Sequence, residues 1–201
     1  MPITTEDQLR ALYGHPKDRT VKKVMPSLDE HARNFLQLSP FCTMSTVNAA
    51  GQLDVSPRGG QPGFVHIQDA RTLLLPDAKG NNRLDSLTNI LATGRVGTLF
   101  LLPGVDETLR INGTAVISNE AAVLEPFAAD RHAPKTCIVI TVEEVFLHCA
   151  KALMRSHLWD PEAQIDRADF PTMGQMLKDQ LGHSDPPESQ QDMLKRYAKD
   201  I

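Results

Sequence analysis

Residues 41–47, FCTMSTV, alternate in polarity, and a short turn, NAAG, follows at residues 48–51. The alternation resumes in LDVS at residues 53–56. A period of two is that of a strand with one buried face, so two such runs around a short turn predict a β-hairpin.

Five further runs with strand-like composition follow the hairpin. They occupy residues 63–68, 72–75, 96–102, 108–118 and 136–149, and most are separated by Gly, Pro, Asn or Asp. Short strands at this spacing predict a β-sandwich or a small barrel, and they disfavour the alternating strands and helices of a parallel sheet.

Helical segments flank and interrupt these strands. Ser27-Leu28-Asp29-Glu30 has the spacing of a capping box, which predicts a helix that ends before Pro40. Its predicted buried face comprises Leu28, Ala32, Phe35 and Leu36. Shorter helices are predicted with the apolar faces Leu84, Leu87 and Leu91; Ala121, Leu124 and Phe127; Met176, Leu177 and Leu181; and Met193, Leu194 and Tyr197. The last of these is either a weak terminal helix or one that docks on a partner.

Length and composition exclude several classes of protein. The 201 residues suggest one domain, with or without peripheral helices, and the net charge of −4 gives no general argument for nucleic-acid binding. No apolar run is long enough to span a bilayer, and the N-terminal sequence MPITTED is unlike a secretory signal. Three scattered cysteines do not form a disulfide framework. We therefore expect a cytoplasmic protein with no membrane or nucleic-acid partner.

Familiar catalytic and metal-binding patterns are missing from the sequence. The seven histidines show no H-x-x-x-H spacing and the cysteines no C-x-x-C pair, so no metal site is predicted. Neither a G-x-G-x-x-G loop nor a Walker loop is present. A nucleophilic Cys–His pair stays open, although no residue marks one out.

Two basic segments can be interpreted as anion sites. In the first, Arg58 is followed by Gly59 and Gly60, which allow a ligand or another backbone to approach closely. Further along, Arg83 lies where a short helix begins, a position that disfavours a cation unless an anion is bound there. The alternative is that Asn81 and Asn82 merely cap the helix and that Arg83 is solvated.

The second basic segment spans residues 148–159 and contains the only tryptophan, Trp159. Lys151 and Arg155 are four residues apart, so they share a face if the segment is helical, and an anionic partner would offset their repulsion. An ordinary exit from a strand, with solvated charges and a tryptophan anchored in the core, is the alternative.

The sequence from Phe41 to Trp159 resembles the pyridoxamine 5′-phosphate oxidase-like, FMN-binding split-barrel superfamily, and most closely its branch of FMN-dependent enzymes with unknown substrates. The resemblance rests on the segments Ser56–Gly59, Pro62–Val65, Leu74–Asp77, Gly80–Ser86, Phe100–Gly104, Glu107–Gly113 and His148–Trp159. It implies a mainly β fold with peripheral helices, built on a six-stranded antiparallel split β-barrel. It also implies a homodimer with FMN bound between the subunits. The expected division is an N-terminal arm and helix at 1–40, the FMN-binding domain at 41–160 and a helical extension at 161–201.

The resemblance also implies roles for individual residues. Ser56 and Arg58 match the strand that contacts the flavin and its phosphate, and Asn82 and Arg83 match the pair that holds the phosphate. Thr108 takes the place of a glutamine that contacts the flavin ring in many relatives. The segment expected to close over the cofactor from the partner subunit contributes Lys151, Arg155, Ser156 and Trp159.

One position departs from the family's pattern. Gly60 stands where an acidic residue is common in this branch, so a carboxylate that orients Arg58 or the substrate in relatives is missing there. No catalytic residue is assigned, because His148 and His157 are only candidates for an acid or base.

These features predict an FMN-binding oxidoreductase that transfers hydride between flavin N5 and a small molecule or electron acceptor. A non-catalytic flavin-binding module is the first alternative. The second is a split-barrel protein that binds a deazaflavin or haem.

Overall fold

The predicted hairpin is confirmed. In the computed structural model, which describes residues 1–77, 79–182, 184 and 186–200, Phe41–Val47 (β1) pairs antiparallel with Leu53–Gly59 (β2). The turn between them is held by the Asn48 side chain, whose Oδ1 accepts hydrogen bonds from the backbone amides of Ala50 and Gln52 at 2.9 and 3.0 Å.

The remaining strands follow the predicted runs, with shifted ends. They are β3 (His66–Ile67), β4 (Thr72–Pro76), β5 (Arg95–Leu102), β6 (Val105–Ser118) and β7 (Cys137–His148). The α-helices are α1 (Glu6–Tyr13), α2 (Asp18–Lys22), α3 (Glu30–Leu38), α4 (Asp85–Thr93), α5 (Ala121–Leu124), α6 (Lys151–Ser156), α7 (Met173–Leu181) and α8 (Gln190–Tyr197). Short 3-10 turns lie at Glu125–Phe127, Pro161–Ala163 and Arg167–Asp169.

All seven strands belong to one antiparallel sheet in the order β2-β1-β5-β6-β7-β4-β3. The expected six-stranded barrel is therefore corrected to a mixed α/β fold with a seven-stranded sheet that is not closed. The seventh strand, β3, lies within the predicted run at 63–68 but is only two residues long; the expected number of six came from the family resemblance. Most of the predicted run at 63–68 lies outside β3.

The core lies on the inner face of this sheet. Its largest fully buried side chains include Phe100, Leu36, Met44, Leu73, Leu75, Leu109, Ile111, Ile138, Ile140, Val142 and Val145. The predicted face of α3 is confirmed, because Leu28, Ala32, Phe35 and Leu36 all belong to this cluster. The cap of α3 is corrected: Asp29, and not Ser27, accepts a hydrogen bond from the Ala32 amide at 2.8 Å.

The predicted apolar face of α4 is confirmed only at Leu87, which packs against the core, and that of α7 is wrong. In α4 the buried residues are Ser86, Asn89 and Ile90, whereas Leu84 and Leu91 are exposed. Asn89 is buried because its Nδ2 donates to Thr46 Oγ1 at 3.0 Å and thereby joins α4 to β1. In α7 no residue is buried, although Thr172 caps the beginning of the helix and Gly182 its end.

Backbone pairing attaches the N-terminal arm to the edge of the sheet at β7. Met25 and Val145 exchange two backbone hydrogen bonds of 3.0 and 2.8 Å. This part of β7 pairs with β6 on one side and extends beyond β4 on the other, so the arm covers an otherwise free edge. Among the described residues, no helix is long and apolar enough to cross a membrane.

Candidate functional site

Arg58 forms an ion pair that joins distant parts of the sheet. Its Nη1 donates to Asp77 Oδ1 at 2.8 Å, and the two side chains are only 16% and 20% exposed. Asp77 follows β4, which is far from β2 in the strand order. The sheet therefore curls enough for this pair to connect strands that no backbone hydrogen bonds join.

The Arg58 guanidinium keeps an unused donor. Its Nε is buried and has no hydrogen-bond partner within the described chain. A buried N–H without an acceptor is costly, so this atom is suited to a ligand oxygen. Ser56, also predicted here, is half-buried two residues away on the same face of β2.

The glycines after Arg58 serve the protein's own packing. A Cβ at Gly60 would lie 2.7 Å from the Cβ of Phe64, and one at Gly59 would lie 3.1 Å from the Pro40 carbonyl oxygen. The Gly60 amide donates to that same oxygen at 3.0 Å. The close approach predicted here is thus made by the chain itself. The carboxylate that pairs with Arg58 in this chain is that of Asp77.

Arg83 lies in a strained loop before α4. Asn82 and Leu84, on either side of it, have φ angles of 61° and 60°, in the left-handed region that a leucine rarely adopts. The exposed Arg83 side chain pairs with Asp85 at 2.8 Å, and this carboxylate is the main cause of the raised pKa of Arg83. Leu84 provides no side-chain cap, so the first amides of α4 have no acceptor from the residue that precedes the helix.

The beginning of α4, next to Arg83, contacts β2, the strand that carries Arg58. Ser86 in α4 donates to Asp54 of β2 at 2.6 Å, and the Asp54 charge contributes to the raised pKa of Arg83. Asp54 and Arg58 are four residues apart on one face of β2. We call this assembly of Ser56, Arg58, Asp77, Asn82 and Arg83 the strand-end group.

A further cation beside this group is paired with the C-terminal end of the chain. Lys79 Nζ donates to Asp200 Oδ1 at 2.6 Å, and this contact is the main cause of the lowered pKa of Asp200. Three cations of the region, Arg58, Lys79 and Arg83, are each matched to one carboxylate of the chain. A bound phosphate would compete with these carboxylates.

The other predicted residues form a second set, which we call the α6 group. Lys151, Arg155 and Ser156 are exposed on α6, which contacts β6. Trp159 Nε1 donates to the Val105 carbonyl oxygen at 3.0 Å, which anchors this segment where β6 begins. The remaining member, Thr108, is only 5% exposed in β6. Among the described residues, no hydrogen bond or ion pair joins the α6 group to the strand-end group.

Two surface cavities differ in their relation to these groups. One of about 270 Å³ lies over Gly97, between Ser45 and Asn112, and contains no predicted site residue in its lining. Another, of about 230 Å³, is lined by Trp159 and His157. His157 Nδ1 lies 2.8 Å from Asp160 Oδ2, a contact that orients its ring, so His157 keeps its place as an acid or base candidate.

Cysteine and metal chemistry find no support in the described residues. Burial raises the pKa of both Cys42 and Cys137 to about 12, which keeps these thiols protonated and poorly nucleophilic. Cys149 is exposed, and among the residues that the structure describes no hydrogen bond pairs it with a histidine. No group of three or more His, Cys, Asp or Glu residues could hold a metal ion within the part of the chain that is described.

Sequence reasoning missed the roles of Asp77, Asp54, Lys79 and Asp200. Asp77 ends the quoted segment Leu74–Asp77 and Lys79 lies two residues further on, but their partners are far away in sequence. Only the general expectation that a half-buried arginine needs a carboxylate could have pointed to Asp77.

The comparison with protein families decides the relationship. A family described as "Pyridoxamine 5′-phosphate oxidase" matches residues 28–149, more than half of the chain. The chain belongs to the pyridoxamine 5′-phosphate oxidase-like family. The match begins in the residues that pack α3 on the sheet and ends one residue after β7. It includes the whole strand-end group and omits the helical α6 segment.

Solved structures share the fold of this pyridoxamine 5′-phosphate oxidase-like chain. A variant of HupZ from Group A Streptococcus matches with a TM-score of 0.50 and 21% identity, over 60% of this chain and 98% of HupZ. The protein related to general stress protein 26 from Clostridium acetobutylicum gives 0.45 and 14%, over 60% and 90%. The haem storage protein HutZ from Vibrio cholerae gives 0.44 and 12%, over 60% and 93%. No curated protein sequence matches the chain.

Proposed function

We propose that this protein binds FMN and acts as an oxidoreductase on a small molecule. The observation that carries the proposal is the half-buried Arg58, whose Nε has no partner among the described residues. Its strand, β2, is joined by the Asp54–Ser86 hydrogen bond to the uncapped N-terminus of α4, which Arg83 precedes. A phosphate oxygen would satisfy that nitrogen and would be stabilised by the helix dipole. Membership of the pyridoxamine 5′-phosphate oxidase-like family supports the same cofactor class.

Bound FMN would supply hydride transfer at its N5 atom. Ser56, Arg58, Asn82 and Arg83 would hold the phosphate end, and Asp77 would keep Arg58 in position. Thr108 precedes Leu109 in β6 and therefore lies on the face of the sheet opposite Arg58, so it would lie against the ring of an FMN whose phosphate a second copy of the chain holds. Protein groups of this kind bind and orient the cofactor without themselves carrying electrons.

The protein would act as a homodimer. Lys151, Arg155, Ser156 and Trp159 would then close over the cofactor of the partner subunit. This proposal is supported by the separation of the α6 group from the strand-end group within one chain. It is supported as well by the apolar side chains Leu53 and Val55, which are 77% and 64% exposed on β2.

The phosphate role is tested by binding FMN and riboflavin to Arg83→Ala. Loss of a charged hydrogen bond costs about 1.5–3 kcal/mol, so we expect FMN to bind roughly 10- to 150-fold more weakly while riboflavin affinity stays unchanged. Arg95→Ala is the matched control, because Arg95 is also exposed and forms one ion pair, with Glu143 at 3.0 Å. Unchanged FMN affinity of Arg83→Ala would refute the role of Arg83.

The absorbance of the purified protein tests the cofactor class. Flavin bands, with FMN released on denaturation, are the expected result. A strong Soret band would show haem instead, and colourless protein that fails to take up added FMN would overturn the proposal. Anaerobic photoreduction followed by reoxidation with a panel of acceptors then separates an oxidoreductase, which is reoxidised rapidly by one of them, from a passive flavin-binding module.

A further inference from the structure

A second cationic cluster lies outside the predicted site, on the outer face of β6 and β7. Its centre is Phe146, with Lys23 Nζ 4.1 Å and Arg110 Cζ 4.9 Å from the centroid of its ring. The His148 ring lies edge-on to Phe146 at 4.8 Å. Lys23 comes from the N-terminal arm, and its Nζ also donates to the Leu147 carbonyl oxygen at 2.7 Å. We call Lys23, Arg110 and His148 the outer cluster.

Arg110 shares an unusual property with Arg58. Two side-chain nitrogens in the described chain are buried and have no hydrogen-bond partner, and they are the Nε atoms of these two arginines. Buried polar atoms without partners are few in native proteins, and each requires an explanation. The proposed function gives Arg58 Nε a ligand oxygen as its hydrogen-bond acceptor, and the same reasoning gives Arg110 Nε an acceptor on a ligand.

The outer cluster carries more positive than negative charge. Arg110 pairs with Glu144, which also accepts a hydrogen bond from Asn112 at 3.2 Å. Within the described part of the chain, the hydrogen-bond acceptor of Lys23 Nζ is a neutral carbonyl oxygen. The pKa of His148 is lowered by burial and further by the charges of Arg110 and Lys23, which indicates a positive potential at its ring. Such a potential favours an anion.

The strand register separates the outer cluster from the Arg58 side chain. Arg58 lies opposite Cys42, which lies opposite Phe100, and Phe100 lies opposite Leu109, so these four side chains share the inner face. Arg110 follows Leu109 and therefore points to the other face. The two arginines cannot hold the same anionic group.

The same register places the outer cluster beside Thr108. Thr108 lies opposite His148, and Arg110 lies opposite Phe146. We propose that Lys23, Arg110 and His148 bind the anionic group of the substrate, a carboxylate or phosphate, while its reacting part lies beside Thr108. This inference rests on the proposed function, in which Thr108 lies against the flavin. It gives the N-terminal arm, through Lys23, a part in substrate recognition.

The anion site is tested without flavin, by following the His148 ring in NMR spectra of the full-length protein. Inorganic phosphate and acetate are titrated in parallel at constant ionic strength, with chloride as the reference, and the His148 signal is assigned by its loss in His148→Asn. We expect one or both probes to raise the pKa of His148 in a saturable manner, because a bound anion stabilises the imidazolium. A response to phosphate alone identifies a phosphoryl group, and one to acetate a carboxylate.

Variants show whether the outer cluster is responsible. Lys23→Gln is expected to weaken the response to the probe roughly tenfold, and Arg110→Gln at least as much. The adjacent Lys22→Gln is the matched control, because Lys22 is exposed and pairs only with Asp18 at 3.5 Å. Lys23 is an exposed side chain, so its variant tests the inference even if Arg110→Gln fails to fold.

Failure of this inference is distinguishable from failure of the proposed function. A His148 response that equals the chloride reference, or that survives in Lys23→Gln, overturns the anion site whatever the flavin data show. A normal His148 response in a protein that does not bind FMN leaves an anion site but overturns its assignment to the substrate of a flavin reaction. If the wild type shows both the His148 response and FMN binding, Lys23→Gln should bind FMN with the affinity of the wild type.

Discussion

The sheet and the two ends of the chain contrast in what holds them in place. Every residue of the described apolar core falls between Leu28 and Val145. The helices outside this range, α1, α2, α6, α7 and α8, contain no buried residue. The ends are attached by Met25, whose side chain packs against the core, and by a few polar contacts, which include the Met25–Val145 bridge, the Trp159–Val105 hydrogen bond and the Lys79–Asp200 ion pair.

This contrast separates stability from candidate function. Burial of apolar area dominates folding energy, whereas an exposed ion pair contributes at most about 1 kcal/mol. We therefore expect the sheet to unfold as one cooperative unit, with the ends able to detach beforehand. The cations that the ends bring to the sheet can then rearrange around a ligand at little cost to the fold.

The largest effect is expected from deleting a core side chain. Phe100 is fully buried in the middle of β5, so Phe100→Ala should lower the free energy of unfolding by about 4 kcal/mol, measured by urea denaturation. Leu177→Ala in α7 is the control from an extension, where the side chain is 45% exposed, and it should change that free energy by less than about 0.5 kcal/mol. Equal losses of unfolding free energy in the two variants would show that the sheet and the ends of the chain do not differ in this respect.

Two glycines provide a sharper comparison, because each is in contact with a carbonyl oxygen. A Cβ at Gly113 would overlap the Thr141 oxygen at the bulge between β6 and β7, and a Cβ at Gly174 would overlap the Glu188 oxygen in the C-terminal extension. Gly113→Ala should lower the global free energy of unfolding by about 3 kcal/mol. Gly174→Ala should displace the extension locally and leave the main urea transition in place. A shift of that transition by Gly174→Ala would show that the extension folds with the sheet.

Removal of a helix N-cap compares the sheet with the ends of the chain at a smaller loss of unfolding free energy. Asp29 caps α3, which packs on the core. Thr172 caps α7, because its Oγ1 accepts a hydrogen bond from the Gln175 amide at 3.1 Å. Asp29→Ala should cost about 1 kcal/mol in the global transition, the usual value of a lost N-cap. Thr172→Ala should reduce only the protection of α7 amides in hydrogen exchange. The prediction fails if both variants lower the melting temperature alike.

The sequence predicts the sheet better than the ends for a physical reason. The alternation of the strands and the apolar face of α3 show in the sequence which side chains are buried. The pattern is visible because its members, such as Cys42 and Met44, lie close together in the chain. The bulge at Gly113 and the curling that brings Arg58 to Asp77 depend on partners far away in sequence. The exposed faces of α4 and α7 show the limit of periodicity, because apolar spacing at Leu84 or Leu177 does not say whether anything covers it.

The arginines of the candidate site and the outer cluster also differ in how well the sequence predicts them. Arg58 and Arg83 stand out because glycines and a helix start surround them, and the family match includes both. Arg110 occurs in a quoted motif, yet no sequence signal distinguishes it from the other arginines. Its buried Nε and its position over Phe146 are properties of the folded sheet alone.

The smallest expected effect concerns His148, which ends β7 where the sheet meets the C-terminal end. Burial, Arg110 and Lys23 lower the pKa of His148 below its ordinary value of 6.5. Above that pH the imidazole is neutral in both states and contributes nothing to the pH dependence of stability. As the pH falls through 6.5, the unfolded chain takes up a proton that the folded chain resists, so stability decreases until the lower folded pKa is reached.

Urea denaturation at a series of pH values between 7.5 and 5 measures this contribution. Stability should decrease less steeply with acid in His148→Gln than in the wild type, because the substituted side chain does not titrate. Lys23→Gln should lie between the two, since it removes one of the charges that disfavour the imidazolium. Identical slopes in all three proteins would show that His148 is not held in a positive environment. The outer cluster would then lose its electrostatic basis while the contrast between the sheet and its ends remained.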